Sequence, residues 1–384
     1  MIAVWLLAAC GDSGDVAVAP PSGLDGGWVA VVVREPAKFQ ALVDGDARDG
    51  WIALHKNDWT AAVAAGGVPA RRALDELVTF HAVLADLSAD TWLLFGATWE
   101  RRGTLPKESV FPRLVRLAAT DAGDKDAVAH WDGVPAAPMP PALAEREQLH
   151  AKLLGGEGDL DALRRSAHEP LFTENAEGVT RPFYDPIVHR SLSEGYRRRA
   201  ATVPAPATPL EGQLFSASLG ADDAQTLVSL GVTFPASGDV EDTCREAVRA
   251  LDSRLDAWRL QLGSAAGDDG RALLNELRLV EGTRSRLLVS QAVAALAADQ
   301  PRCAVAYAEL ARDHEAARSI SPVNSPTLFA VLAAGNLRTG RAREALDALE
   351  VLTGPYPEVV ALDETVGDLT VLQGIDRAGD SREN

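Results

Sequence analysis

Residues 325–360 read SPTLFAVLAAGNLRTGRAREALDALEVLTGPYPEVV. The punctuation of this stretch decides the fold class. SISPVNSP at 319–326 separates it from what precedes, because proline lacks the amide proton that a continuing helix needs. The spacing then predicts a helix over 327–339, a turn at Gly340, and a second helix over 342–352. Glycine is the residue best suited to the left-handed conformation that ends a helix. Pro355 and Pro357 precede a last helix over about 358–372. Helix, tight turn, helix is the unit, and the chain around it follows the same grammar.

Upstream, Cys244, Val248, Leu251, Leu255, Trp258 and Leu262 step by fours and threes, one continuous helix seam stopped by Gly263. A long helix is expected over about 270–298, with Leu273, Leu277, Val280, Leu287 and Leu288 on its core side. Pro301 opens another, to about Ala317. Nearer the N-terminus, 71–87 is amphipathic, with Leu74, Leu77, Val78, His81, Leu84 and Ala85 on one stripe. A histidine on such a stripe is expected to be packed, not to be a ligand. Thr91–Arg102 is expected as a separate helix, capped by Ser88 or Asp90 and ended by Gly103. Shorter helices are expected over 112–119, 143–154 and 161–167. Asp185-Pro186 reads as a helix start, with Ile187, Val188, Leu192 and Tyr196 as its apolar stripe and Arg197, Arg198 and Arg199 at its negative end. The fold class expected is all-α, with short linkers. Trp28–Val33 (WVAVVV) is as readily a short N-terminal strand as the start of a helix.

The 384 residues suffice for two or three domains or one long array. With 47% hydrophobic and 24% charged residues the chain can bury a core, which excludes wholesale disorder. A net charge of −18 argues against nucleic acid as a partner, since phosphate binding needs basic patches. No run of eighteen or more apolar residues occurs.

The first ten residues, MIAVWLLAAC, place an apolar run before Leu7-Ala8-Ala9-Cys10, followed by the small, polar Gly11-Asp12-Ser13-Gly14. This resembles the lipobox of bacterial lipoproteins. The resemblance implies a signal peptide over 1–9, lipidation of Cys10, and a lipid anchor holding the protein to a membrane of the cell envelope. Two or more acyl chains suffice for stable anchoring, each buried methylene contributing about 0.8 kcal/mol. One departure is that no basic residue precedes the apolar run. In an exported protein Cys244 and Cys303 could pair; the other reading is two small buried hydrophobes.

The expected organisation is then a lipidated cysteine and flexible tether over 10–27 and an N-terminal helical block over 28–120. A proline-rich linker follows over 121–142, then a middle helical segment with an aromatic and arginine patch over 143–202. A linker with a short helix over 203–238 leads to a C-terminal helical domain over 239–375 and a disordered tail over 376–384.

The C-terminal pattern resembles a tetratricopeptide repeat (TPR-like). Phe329, Leu332 and Ala333 stand where that motif places a large, an aliphatic and a small residue, with Gly340 at its turn. Ala345, Leu349 and Pro357 match the small, larger and closing positions of the second helix. Small residues let paired helices approach while large ones fill the adjacent gaps. Asn336 departs where an aromatic is usual, and Leu352 replaces an alanine. Ala304, Ala308 and Ala311 echo an earlier unit, and Phe95, Gly96, Trp99 and Gly103 with Leu54, Trp59 and Ala62 give weaker echoes. The resemblance covers about a third of the chain and implies an irregular α-solenoid of helical hairpins.

Catalytic motifs are absent from the sequence: no His-Glu-x-x-His, no Gly-x-Ser-x-Gly, no Ser-x-x-Lys, and no histidine pair at ligand spacing. No cofactor and no metal are expected. One constellation stands out, Arg181, Phe183, Tyr184, Asp185, His189 and Tyr196 with Arg197 to Arg199. It could grip an acidic peptide, a glycan or a lipid headgroup, or plug the gap between two helical blocks. Asn336 is a further candidate, at a position where the motif's first helix faces inward. The expected function is a membrane-anchored, non-enzymatic scaffold binding a protein or peptide partner, placed on the periplasmic or extracellular face. The alternative is an envelope small-molecule or glycan-binding protein or hydrolase with its site near 168–199.

Overall fold

The computed structural model describes residues 48–55, 58–103, 109–167, 172–175, 180–183, 186–204, 256, 260, 288, 289, 291–318 and 325–380. The expectations at 1–9, Cys10, the 10–27 tether, the 28–33 strand, Tyr184, Asp185, the 205–238 linker and Cys244 lie outside these residues. The described residues are mostly helical, in keeping with the all-α expectation.

The architecture is organised by one helix. After α1 (Arg48–His55) and α2 (Trp59–Ala65), α3 runs unbroken over Gly67–Arg102. Two separate helices had been expected here. Ser88 and Asp90 do not act as caps. Thr91 instead donates its hydroxyl to the Leu87 carbonyl at 2.7 Å, and Asp90 accepts from an arginine far along the chain. Gly103, at φ 65°, ends the helix in the left-handed conformation. By length and composition α3 could cross a membrane, but 61% of its apolar window is buried within this protein, as in a core helix.

Around α3 the other elements assemble. α4 (Phe111–Ala122) packs on it and carries α5 (Lys125–Asp132). The stretch expected as a proline-rich linker over 121–142 therefore contains a helix. Asp124 caps it by accepting from the Ala127 amide, and Trp131 anchors it in the core. Gly96 of α3 permits the approach: a Cβ there would lie 2.8 Å from the Trp131 ring and 2.9 Å from Val115. α6 (Pro141–Gly155) and α7 (Leu160–Ala167) follow. Phe172–Asn175 (β1) and Thr180–Phe183 (β2) then form an antiparallel hairpin with Phe172 opposite Phe183, inside what was expected to be a helical segment. α8 (Val188–Thr202) begins two residues after Pro186, with Ile187 at its N-cap, and lies along α3.

Residues 291–297 are helical, and α9 (Pro301–Arg318), α10 (Pro326–Arg338), α11 (Ala342–Thr353) and α12 (Val360–Asp380) pack each on the next, α12 entered through a 3-10 turn at Pro357–Val359. Gly340, at φ 77°, makes the expected turn. Helix continues through 376–380, which had been assigned to a disordered tail; no proline occurs after Pro357 to stop it. A Cβ on Gly335 would lie 2.6 Å from Val305, which is how closely α9 and α10 approach. α10 and α12 also pack directly on α3. The first and last of the described elements thus meet on one helix, whereas in an open array each unit touches only its neighbours.

Candidate functional site

Two apolar stripes bring the principal cluster together. On α3, helical spacing puts His81 on the same buried face as Leu74, Leu77 and Leu84; on α8 it puts His189 beside Val188, Leu192 and Tyr196. Where the faces meet, His81 Nδ1 and His189 Nδ1 lie 3.3 Å apart. The His81 ring stacks on Tyr196 and on His189 and meets Phe80 edge-on. From the 3-10 turn before α12, the buried Glu358 brings Oε1 to 3.7 Å from His81 Nε2.

The geometry selects the tautomers. Only one of the two facing Nδ1 atoms can carry a proton. If His189 donates, His81 keeps its proton on Nε2, directed at the Glu358 carboxylate. The opposite choice would point a bare nitrogen at a carboxylate oxygen. The tautomer in which His189 donates to His81 is the one that sets His81 Nε2–H toward Glu358. Burial lowers the His189 imidazole to about 4. Burial, then the neighbouring His189, then Arg164 on α7, hold His81 well below its ordinary value. Both rings are neutral near pH 7.

The same junction holds an aromatic wedge. Trp59 of α2, Phe80 of α3 and Tyr356 have ring centroids 5.0 to 5.5 Å apart, and Trp59 Nε1 donates to Glu76. Burial, with Glu358 next, pushes the Tyr356 hydroxyl upward, so it stays protonated.

A second polar set lies on the other side of α8. Ser191 Oγ and His150 Nδ1 are 2.6 Å apart. Burial lowers the His150 pKa, against Asp121 and Glu194, which raise it. Arg190 grips Asp121 through Nε and Nη2 at 2.9 and 3.2 Å and reaches Asp86 at 2.7 Å. A serine and a histidine in contact are the beginning of a nucleophilic pair. Ser191 is only 1% exposed, and its contact with His150 joins α6 to α8.

The residues singled out from the sequence fare differently. His189 and Tyr196 are brought together, but inside the core and not on an open patch, because both sit on the face of α8 that covers α3. Arg181 and Phe183 lie on β2, opposite Glu174 and Phe172. Arg197 and Arg198 pair with Glu194 on their own helix. Asn336 is 4% exposed, and its Oδ1 has no hydrogen-bond partner among the described residues, so it is an interior residue and not part of an open concave face. Cys303 is disulfide-bonded, and the chain's other cysteines, Cys10 and Cys244, lie outside the described residues. His81 is packed, as its stripe predicted. Glu358, Tyr356 and the Ser191–His150 pair were missed; they meet their partners across long separations that no local spacing signals. Among the described residues no group of three or more histidine, cysteine or carboxylate side chains is placed to hold a metal ion.

No family model matches this chain, and no curated protein or solved structure matches it either.

Proposed function

We propose that this chain is a lipid-anchored protein of the bacterial cell envelope that serves as a protein–protein interaction scaffold. In this reading Cys10 carries the anchor, and the TPR-like hairpins of α9 to α12 carry the partner-binding surface. The observation that carries it is the close stacking of these helices. Ala304, Ala308, Ala333 and Ala345 are fully buried, and Gly335 lies against Val305. Small residues at these positions are what paired hairpins need, and stacked hairpins present extended surfaces to peptides. The disulfide at Cys303 supports an oxidising, extracytoplasmic setting. The burial of His189 and Tyr196 supports the scaffold over a ligand or hydrolase site near 168–199.

The test is mild cross-linking in the native envelope followed by purification through a C-terminal tag, alongside fatty-acid labelling. A stoichiometric protein partner, and an acyl label, both lost in Cys10→Ala, are the expected result. A membrane-bound protein with no partner above background would overturn the scaffold. A chain that takes no acyl label would overturn the anchor.

A further inference from the structure

We propose that the His81–His189–Glu358 node is an acid-sensitive latch, closed near neutral pH and loosened on acidification, that holds the C-terminal end of the chain on α3. The proposal is independent of the anchor and of the partner. The node sits where three parts of the chain converge: His81 on α3, His189 and Tyr196 on α8, and Glu358 at the entry to α12. Tyr356, two residues before Glu358, packs on Phe80, the neighbour of His81. The imidazole pair joins α3 to α8, and Glu358 stands 3.7 Å from its His81 end, so a shift of His81 reaches the last turn through that contact.

The Nδ1–Nδ1 contact can hold one proton and not two. Protonating His81 at Nδ1 places two hydrogens between the nitrogens and breaks the bond. Protonating His189 at Nε2 keeps the bond but puts a cation in a buried site. The charged groups facing the pair are Glu358 from the 3-10 turn and Arg164 from α7, with the neutral Tyr196 from α8. One carboxylate beside one guanidinium cannot offset two imidazolium ions. A route to protonation is therefore opening of the junction.

The sign follows from the shifts. A buried histidine whose folded pKa is lowered favours the folded state at neutral pH. That contribution disappears as pH falls from the unfolded value near 6.5 through the folded value, about 4 for His189. The displaced carboxylates act oppositely. Burial raises Asp90, Asp363 and Glu364, so acid favours their folded forms. His150 is also lowered, but its contact is with Ser191, which joins α6 to α8.

Hydrogen exchange of the full chain, read by mass spectrometry and corrected for intrinsic rates, tests the latch at pH 7 and pH 5. Opening of peptides in 357–372 is expected to rise about twentyfold in the wild type from His189 alone, with His81 adding in the same direction. Peptides in 111–119 should change far less. His189→Gln should cut the rise at 357–372 by about twentyfold, whereas His150→Gln should leave it intact. An undiminished rise in His189→Gln would overturn the latch. So would equal acceleration in 111–119, or none at 357–372, and both are read from the wild type alone should the variant fail to fold.

Discussion

At the scale of single residues, space and hydrogen-bond satisfaction decide most outcomes. Gly96 and Gly335 are glycines because a neighbouring helix occupies the place of a side chain. Gly335→Val must displace Val305 and crowd the Pro301 carbonyl, 3.3 Å from the added Cβ, and should cost about 1–3 kcal/mol. A urea midpoint equal to the wild type would contradict the packing of α9 on α10. Asn336 gives a prediction of opposite sign. Its Oδ1 is buried without a partner among the described residues, so Asn336→Leu should stabilise by about 1 kcal/mol. A lower urea midpoint would show that the amide is used. Arg190→Ala strips the partner from Asp121, whose side chain is 7% exposed, and should cost about 1–3 kcal/mol in the same experiment.

At the scale of elements, the helices were largely legible and their joins were not. Amphipathic spacing placed the cores of α3, α8, α10 and α11, and Gly103 and Gly340 end their helices as expected. The break expected near Ser88 failed for a physical reason. A capping residue stops a helix only when its side chain turns back to the free amides. Asp90 instead accepts from Arg338 Nε at 2.6 Å, and Arg338 also donates to the Leu296 carbonyl at 3.1 Å. One guanidinium so ties α10 and the 291–297 helix to α3. Arg338→Ala should cost about 1–3 kcal/mol, and Asp90→Asn should account for part of that loss in a double-mutant cycle. Additive costs would contradict the bond. The proline-rich composition of 121–142 concealed α5, because Asp124 supplies a cap and Trp131 an anchor within a run that otherwise reads as turn. The hairpin at 172–183 was concealed among aromatic and charged residues lacking a clear two-residue period. The buried histidine pair was half legible. The α3 stripe placed His81 inside, but its meeting with His189 across 108 positions, and with Glu358, depends on how helices pack.

At the scale of the molecule, α3 joins the first and last described elements, which makes the C-terminal hairpins one face of a larger body. Loss of the latch should then show as local opening at the last turn and helix before the core around Phe111 and Trp92 yields. The functional claim concerns the outward side of these hairpins. Val351 on α11 and Val371 on α12 are large apolar residues left 38% and 61% exposed, and Leu94 on α3 is exposed to the same 38% as Val351. The most direct test places the photocross-linking residue p-benzoylphenylalanine at each position in turn, in the native cell envelope. The account predicts one discrete protein adduct from positions 351 and 371 and none from position 94. The same adduct from all three positions, or none from 351 and 371, would contradict it.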